Sequence, residues 1–329
     1  MKNINLFLII ILLSLCVVSV SIGKYYIHPL TVMKIMISKV IPIERDWIDQ
    51  METIVWNIRF PRIAGAVITG AGLSMSAAIL QSMFQNPLVS PFILGVSSGA
   101  GFGACVAILL GLDRFTMQLF VFAGGIIAVS MSCLLGKDSS GVGSKMTMVL
   151  SGVIVGGFFT SLISAMKYMA DPYTKLPEIV FWLMGSLAYV SNESLIWLMP
   201  VTAVSMAALF MCRWKFNILG LGEYEAKALG ENTGRLKAAG IIFTTMLVSA
   251  TVSMAGVIGW VGLVVANAAR IITGPNLVRL VPVSALMGAI YLLAVDDMAR
   301  NISDVEIPLG ILTSLVGAPV FMYILKKNN

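Results

Sequence analysis

Three arginines have side chains whose type and spacing could recognise a charged partner. Arg59 and Arg62 lie three residues apart, and the third, Arg300, comes far along the chain. A guanidinium presents five donors in a planar fork that matches a carboxylate. Arginines also anchor helix ends at a membrane surface, where the charge reaches water past an apolar stem. The pattern predicts either a dock for an acidic partner or helix anchors, and Asp296 and Arg300 are expected to pair on one helix face.

The most charged internal stretch, residues 213–237, carries five basic and three acidic side chains. Glycines divide it into two short helical segments. Glu223 and Lys227 have the i,i+4 spacing of a helical ion pair. Ala226 and Leu229 give the second segment a small apolar face. This predicts a short amphipathic helix that a partner protein can contact, with a solvated linker as the alternative.

The segment from Gln81 to Pro91 contains amide side chains and prolines, and it separates two apolar runs. Asn86 and Pro87 stand near the middle of this segment. Irregular backbone at membrane depth is tolerated only where protein or water surrounds it. The segment is therefore either a tight turn outside a bilayer or part of a polar pathway, with Gln81 and Asn86 as its polar groups.

Motifs for catalysis and for metal binding are missing from the sequence. It has no G-x-x-x-x-G-K-[ST] phosphate loop, one histidine, His28, and four cysteines without a C-x-x-C pair. One histidine excludes H-E-x-x-H and multi-histidine metal sites. We therefore expect no catalytic residues, no bound metal and no cofactor. If transport here uses ATP, another polypeptide must hydrolyse it.

Membrane helices are the elements that must position these groups. The chain of 329 residues is 58% hydrophobic and 12% charged, whereas soluble proteins carry about 25% charged residues. Apolar blocks such as Ile63–Leu80 and Ala238–Ile258 approach the roughly 20 residues that span a bilayer as a helix. The excess of 22 Lys and Arg over 16 Asp and Glu reports topology and not nucleic-acid binding. The predicted fold class is all-α, a polytopic bundle forming one transmembrane domain over 1–329.

About ten spans are predicted, with a further short helix beside the membrane at 177–189. With a cytoplasmic N-terminus, ten spans place the C-terminus and the 213–237 stretch on the cytoplasmic side and the three arginines outside. Lys24 and Lys34 also fall outside, against the usual excess of basic residues on the cytoplasmic side. The predicted spans are 5–22, 58–81, 92–111, 117–135, 147–168, 194–212, 238–258, 260–272, 280–297 and 307–325.

Several short motifs occur in order along nearly the whole chain. They are Arg59-Phe60-Pro61-Arg62, Gln81 with Asn86-Pro87-Leu88, Leu94–Ala100, Leu229-Gly230, Gly262-Leu263-Val264, Asp296 with Arg300, Glu306–Gly310 and Gly317–Phe321. As a set they resemble the FecCD-type permeases, the membrane subunits of iron-siderophore, haem and vitamin B12 ABC importers. The resemblance implies a type II permease in the cytoplasmic membrane, working as a homodimer with two ATPase subunits and an extracytoplasmic substrate-binding protein.

The resemblance also implies roles for individual residues. The outer arginines Arg59, Arg62 and Arg300 would dock glutamates of the binding protein. The fifth span and the helix after it would line the pathway, at about 147–167 and 177–191. The ATPase-coupling residues, in a region of about 219–236, would be Leu219, Gly222, Glu223, Ala226, Leu229 and Gly230. The cytoplasmic gate would comprise Ser144, Lys145, Met146 and Thr147.

The sequence departs from the pattern of these permeases in three places. Ala266-Asn267 stand where Pro-His is usual, and Pro275–Val278 replace an Asp-His-Arg-like run. Ala77 stands where glycine is usual. The first two departures leave the contacts of that cytoplasmic loop open, together with the identity of its ATPase partner.

The sequence predicts inward movement of a metal chelate, iron(III)-siderophore first, with cobalamin, haem and molybdate or tungstate as alternatives. Two other classes compete with this interpretation. An ion-driven secondary transporter often carries acidic residues at mid-membrane, whereas the acidic residues here cluster in loops and at span ends. A membrane enzyme would need catalytic groups that the sequence lacks.

Overall fold

The structure, a computed structural model, describes residues 2–39, 41, 45–136 and 145–328, and helices dominate these ranges. A π-helical segment, Ile54–Arg59, joins α3 to α4. The fifteen α-helices in the described ranges are α1 (Lys2–Ser21), α2 (Pro29–Ile37), α3 (Asp49–Thr53), α4 (Phe60–Met83), α5 (Val96–Leu109), α6 (Arg114–Leu135), α7 (Lys145–Met169), α8 (Lys175–Leu183), α9 (Asn192–Met211), α10 (Arg213–Leu219), α11 (Glu223–Ala228), α12 (Thr233–Ala255), α13 (Val261–Thr273), α14 (Leu277–Asn301) and α15 (Leu309–Asn328).

Ten apolar helical stretches in the described ranges correspond to the ten predicted spans. Seven are long and apolar enough to cross a bilayer, and three shorter ones are Val96–Leu109, Val261–Thr273 and Leu309–Ile324. The all-α, polytopic prediction is therefore confirmed. The second span is longer than predicted, because α3, the π-helical segment and α4 run on without a break from Asp49 to Met83.

Helix α4 forms the centre of the bundle and packs closely against α14. Small residues allow this approach: a Cβ added at Gly70 would lie 2.2 Å from the carbonyl oxygen of Gly288, and the reverse holds for Gly288. Without a hydrophobic drive between helices in lipid, close packing of small residues holds them together. The apolar window of α4 is 83% buried, and that of α12 is 72% buried.

Peripheral helices expose apolar side chains that a bilayer would cover. The apolar window of α1 is 17% buried and that of α7 is 28% buried. Leu150, Ile154 and Phe158 are exposed along one face of α7. Such surface would be unfavourable in water, because apolar area left in contact with water costs free energy. The burial pattern therefore agrees with a membrane protein.

Polar caps fix the points at which helices begin. Asp113 accepts hydrogen bonds from the backbone N–H groups of Phe115 and Thr116 at the start of α6. Hydrogen bonds from the Thr116 side chain and backbone hold the pKa of Asp113 below its usual range. Asn232 and Asn276 cap α12 and α14 in the same way. These caps satisfy backbone donors that have no partner within the first helical turn.

Candidate functional site

The three arginines lie together at one end of the bundle, here called the arginine end. Arg59 and Arg62 lie where the π-helical segment passes into α4, and Arg300 lies in the last turn of α14. A Cβ added at Gly23 would be 3.0 Å from Arg59 Nη2 and 3.7 Å from Arg300 Nη1. The structure therefore brings together residues that are more than two hundred positions apart in the sequence.

Arg62 makes two double hydrogen bonds to carboxylates. Its Nε and Nη2 donate to the two oxygens of Asp296 at 2.9 Å and 2.8 Å. Its Nη1 and Nη2 donate to the two oxygens of Glu306 at 3.0 Å and 2.9 Å. Paired bonds of this geometry are the strong form of an arginine–carboxylate contact. The donors of Arg62 are therefore used within the protein.

Arg300 is the second ionic centre, and the predicted pair with Asp296 is confirmed. Arg300 Nε lies 3.7 Å from Asp296 Oδ2. Its Nη2 donates to the Ser19 carbonyl at 2.9 Å and also contacts Asp297. Arg59 donates to main-chain carbonyls at the end of α1, including Ser21 O at 3.2 Å. The two arginines thus tie α1 to α4 and α14.

The burial of these arginines argues against the expectation that they are exposed docking groups. Arg59, Arg62 and Arg300 are 4%, 8% and 9% exposed. Arg62 and Arg300 pair with three carboxylates of the same chain, whereas Arg59 donates to main-chain carbonyls. Three guanidinium charges and three carboxylates leave the cluster with little net charge. The carboxylates are Asp296, Asp297 and Glu306. A partner carboxylate that bound Arg62 or Arg300 would have to displace one of them and leave it unpaired, which is costly for a buried ion.

Glu306 lies outside the spans, in the connection between α14 and α15. Burial alone would raise the pKa of its carboxyl, but the hydrogen bonds and charge of Arg62 outweigh this effect and hold the pKa below its usual range. Ser186 Oγ also donates to Glu306 at 2.9 Å. Glu306 is therefore ionised at neutral pH and shared between two elements. Nothing in the sequence indicated the contact with Ser186.

The 213–237 stretch forms the other end of the bundle, here called the α11 end. The two predicted short helices are present as α10 and α11, separated by Gly220–Gly222. Gln85 Nε2 donates to the Gly220 carbonyl at 2.9 Å, and Asn217 Oδ1 accepts from the backbone of Leu277 at 2.9 Å. These bonds fasten the segment to the end of α4 and the start of α14.

The predicted coupling residues divide into a buried group and an exposed group. Leu219 and Ala226 have no exposed surface, so neither presents a side chain for direct contact with a partner, and their role in coupling stays a prediction. Leu229 is 62% exposed, and Gly230, at φ +83°, has open space where a side chain would stand. Gly222, at φ +143°, precedes α11. Leu221 and Tyr224, which the sequence did not single out, are 61% and 87% exposed.

The ion pair expected within α11 is replaced by a longer-range one. Glu223 contacts Lys237 in the first turn of α12, and no pair with Lys227 is formed among the described side chains. Lys215 and Glu231 add a second link, with Nζ and Oε2 3.5 Å apart. The first pair connects α11 to α12, and the second connects α10 to the segment between α11 and α12. Together they hold α11 in one orientation.

Nearly the whole chain matches one family model. A family model described as the FecCD transport family covers residues 8–327. The chain belongs to the FecCD transport family.

Relatives in the FecCD family have different stated substrates. The molybdate import permease MolB of Haemophilus influenzae is 37% identical over 326 residues, covering 98% of this chain and 95% of MolB. The Fe(3+)-citrate import permease YfmE of Bacillus subtilis is 35% identical over 326 residues, covering 98% of this chain and 94% of YfmE. Similarity of this size supports an ABC importer permease and leaves the substrate open.

A solved structure extends the match to three dimensions. It is described as an inward-facing conformation of an ABC transporter assigned to the metal-chelate type. The TM-score is 0.88 at 35% sequence identity, covering 99% of this chain and 100% of the other. The predicted type II permease fold is confirmed by this likeness.

Gln81 and Asn86 are the expected polar groups of a pathway. Gln81 lies in the last turn of α4, and Asn86 lies in the turn between α4 and α5. Gln81 has no exposed surface, and its Oε1 accepts from Arg270 Nη2 of α13 at 2.9 Å. Asn86 Oδ1 accepts from the backbone of Leu88 at 2.9 Å. Both side chains thus have structural partners, and a role in the pathway stays a prediction.

The departures from the FecCD pattern have local explanations. Asn267 Nδ2 donates to the Pro87 carbonyl at 3.1 Å, so it ties α13 to the α4–α5 turn. Asn276 caps α14 by accepting from the backbone of Val278 at 2.9 Å. Ala77 is fully buried, and its Cβ lies 2.9 Å from the position that a Cβ on Gly262 would occupy. The loop is therefore well fastened without the usual residues.

The predicted FecCD gate is only partly within the described residues. Ser144 lies outside them. Lys145 begins α7, and Met146, one residue further, is 67% exposed. The carbonyl of Thr147 accepts from Ser151 Oγ at 2.8 Å. The gate stays a prediction. Among the residues that the structure describes, no three His, Cys, Asp or Glu side chains are grouped to hold a metal ion.

Proposed function

We propose that this protein is the permease subunit that moves an iron(III)-siderophore inward across the cytoplasmic membrane. It would do so as a homodimer, with two ATPase subunits at the α11 end and an extracytoplasmic binding protein at the arginine end. Both termini would be cytoplasmic. The observation that carries the proposal is the likeness to a metal-chelate type ABC transporter over 99% of the chain.

Molybdate is the second candidate substrate, because MolB is 37% identical over nearly the whole chain. Cobalamin, haem and tungstate are further alternatives within the same class. The described residues offer no metal-ligand cluster to separate these substrates. A pathway need not bind its cargo tightly when a separate protein captures it, so uptake has to be measured.

Transport should require all the proposed subunits. The purified chain alone is expected to hydrolyse no ATP, since its sequence has no phosphate-binding loop. In proteoliposomes that also contain its cognate ATPase, ATP should drive uptake of radioactive iron(III)-hydroxamate when the binding protein is present. Molybdate is the parallel probe.

Uptake of molybdate without iron would replace the iron assignment and keep the importer. ATP hydrolysis by a clean preparation of the chain alone would contradict the assignment of ATP hydrolysis to a separate subunit. Uptake driven by an ion gradient without ATP would favour a secondary transporter.

A second copy of the chain is proposed to cover part of the exposed apolar surface. The apolar window of α7 is 28% buried, and α15 exposes Leu315, Val320 and Met322. Both helices therefore have faces free for either lipid or a partner. The proposed homodimer would bury part of such a face.

Docking of the binding protein at the arginine end stays a prediction, with a changed expectation for its salt dependence. Exposed charge pairs accelerate association and are screened by salt. Since the arginine cluster is buried and nearly neutral, we expect the association rate to change little between about 0.05 M and about 0.5 M salt. Surface-immobilised permease and soluble binding protein would give this rate. A steep salt dependence that Arg59→Gln abolishes would instead establish direct docking through arginine.

A further inference from the structure

The turn after α8, Met184–Ser186, is held by two other elements and is here called the α8 turn. The backbone N–H of Ser186 donates to the Ala255 carbonyl, at the end of α12, at 2.9 Å. The backbone N–H groups of Leu309 and Gly310, at the start of α15, donate to the carbonyls of Gly185 and Met184 at 2.9 Å each. The α8 turn therefore bridges α12 and α15.

The contacts at this bridge leave no room for side chains. A Cβ at Gly310 would lie 2.5 Å from the Met184 carbonyl oxygen, and one at Gly256 would lie 2.6 Å from the Trp182 carbonyl oxygen. Gly185 has φ +73°, a conformation that glycine adopts without strain. Packed backbone of this kind transmits a displacement instead of absorbing it.

An ionic connection runs from the same turn to the arginine end. Ser186 Oγ donates to Glu306 Oε1 at 2.9 Å, and Glu306 accepts two hydrogen bonds from Arg62. Arg62 is bound in turn to Asp296 of α14. The side chain of Glu306 is 25% exposed, so it lies near the surface of the arginine end. One carboxylate thus joins α4 to the α8 turn.

The α8 turn also borders a cavity of about 510 Å³. Met184 and Leu183 form one wall, and Ile311 and Leu315 of α15 form another. The family resemblance places residues 177–191 along the transport pathway. A shift of the α8 turn would therefore change the shape of a cavity beside the proposed pathway.

We propose that Glu306 is a positioning residue that couples the arginine end to the α8 turn. Movement of α4 or α14 when a partner binds would pull Glu306 through Arg62, and Glu306 would carry Ser186 with it. The inference rests on the proposed function, because it assigns a part of the transport cycle to this contact. A continuous set of contacts of this kind can carry energetic coupling between the two places.

Glu306→Gln keeps the size of the side chain but removes one of the two carboxylate charges that hold Arg62. In the complete complex with ATPase and binding protein, we expect it to reduce binding-protein stimulation of ATP hydrolysis by about fivefold. The basal rate without binding protein should change by less than about twofold. Ser186→Ala should reduce stimulation less, and adding it to Glu306→Gln should have little further effect, because both act on one contact. Asp304→Asn is the matched control, since Asp304 lies two residues away and its exposed side chain contacts no other described group.

A purely structural role for Glu306 would lower the yield and thermal stability of the complex but would not change the ratio of stimulated to basal hydrolysis. That result, or full additivity of the two substitutions, would overturn the inference. A wild-type complex that couples no transport to ATP would contradict the proposed function itself. Wild-type transport with normal stimulation in Glu306→Gln would contradict only the positioning role.

Discussion

Asp296→Asn is expected to lower the free energy of unfolding by about 3 kcal/mol. Asp296 has no exposed surface, and its carboxylate is shared between Arg62 and Arg300. Asparagine has the same shape but no charge, so two buried guanidinium groups would lose a common counter-ion. Removing one partner of a buried ion pair is costly because the other charge stays where water cannot reach it.

Thermal unfolding of the detergent-purified protein, followed by size-exclusion chromatography after heating, would measure this effect. The midpoint should fall by roughly 5 to 10 °C. Asp304→Asn removes the same charge from an exposed position in the loop after α14 and should leave the midpoint unchanged. Equal midpoints for Asp296→Asn and the wild type would show that the ion pair contributes nothing to stability.

A double substitution distinguishes the effect of losing the ion pair from the effect of leaving one buried charge without its partner. Replacing Arg62 with methionine and Asp296 with leucine removes both charges and keeps apolar volume in the core. Buried ion pairs replaced in this way are often neutral in stability. Glu306 would keep Ser186 and its access to solvent, and Arg300 would keep Asp297. The double variant should therefore be more stable than Asp296→Asn alone.

The number and order of the membrane helices could be predicted from the sequence, because long apolar blocks have few alternatives in structure. The ends of the helices were less predictable. The second span was expected to begin at residue 58, but the helix runs from Asp49 through the π-helical segment Ile54–Arg59. Polar residues such as Asp49 and Glu52 concealed this extension, because an end that emerges from the membrane is not apolar.

The burial of the arginines could not be predicted, because their partners are remote in the sequence. Arg62 and Asp296 are 234 positions apart, and Arg62 and Glu306 are 244 positions apart. Sequence spacing revealed only the local pair, Asp296 and Arg300. In the sequence, an arginine at the start of a span is the same whether its side chain faces lipid headgroups, a partner protein or the carboxylate of another helix.

The orientation of α11 was a similar case. Its sequence predicts a short amphipathic helix, but it does not fix which face turns inward when so few residues are apolar. The structure buries Ala226 and exposes Tyr224, two positions earlier and therefore on the opposite face. In this orientation of α11, Glu223 points towards Lys237 of α12 and away from Lys227. The neighbouring helices α10 and α12 decide the orientation, and their packing cannot be deduced from the sequence of α11 itself.

Three exposed apolar side chains at the α11 end form the surface at which we propose that the ATPase binds. Leu221, Tyr224 and Leu229 are 61%, 87% and 62% exposed, and we call them the α11 surface. The hydrogen bond from Gln85 to Gly220 and the contact of Lys237 with Glu223 hold this surface in place. An exposed tyrosine such as Tyr224 is typical of the centre of a protein interface, and the two leucines add apolar area beside it.

Leu229→Asp is expected to weaken binding of the cognate ATPase by about 2 kcal/mol, or roughly thirtyfold in the dissociation constant. The new carboxylate would lose water on binding without gaining a partner, which is the physical reason for the loss. Folding should be unaffected, because the wild-type side chain is already exposed. Ala226→Asp would place a charge in the core instead and would test packing, not contact.

Pull-down and surface-binding measurements with purified ATPase would give the affinity of each variant. Leu110→Asp is the matched control, since Leu110 is 64% exposed and follows α5 near the arginine end, far from the proposed ATPase contact. Leu229→Met should bind as the wild type does, because it keeps an apolar side chain of similar size. If Leu229→Asp and Leu110→Asp bind the ATPase equally well, the α11 surface is not the contact. If Leu229→Asp binds normally but no longer supports ATP-driven uptake, Leu229 acts after assembly, in transmitting the ATPase movement to α12.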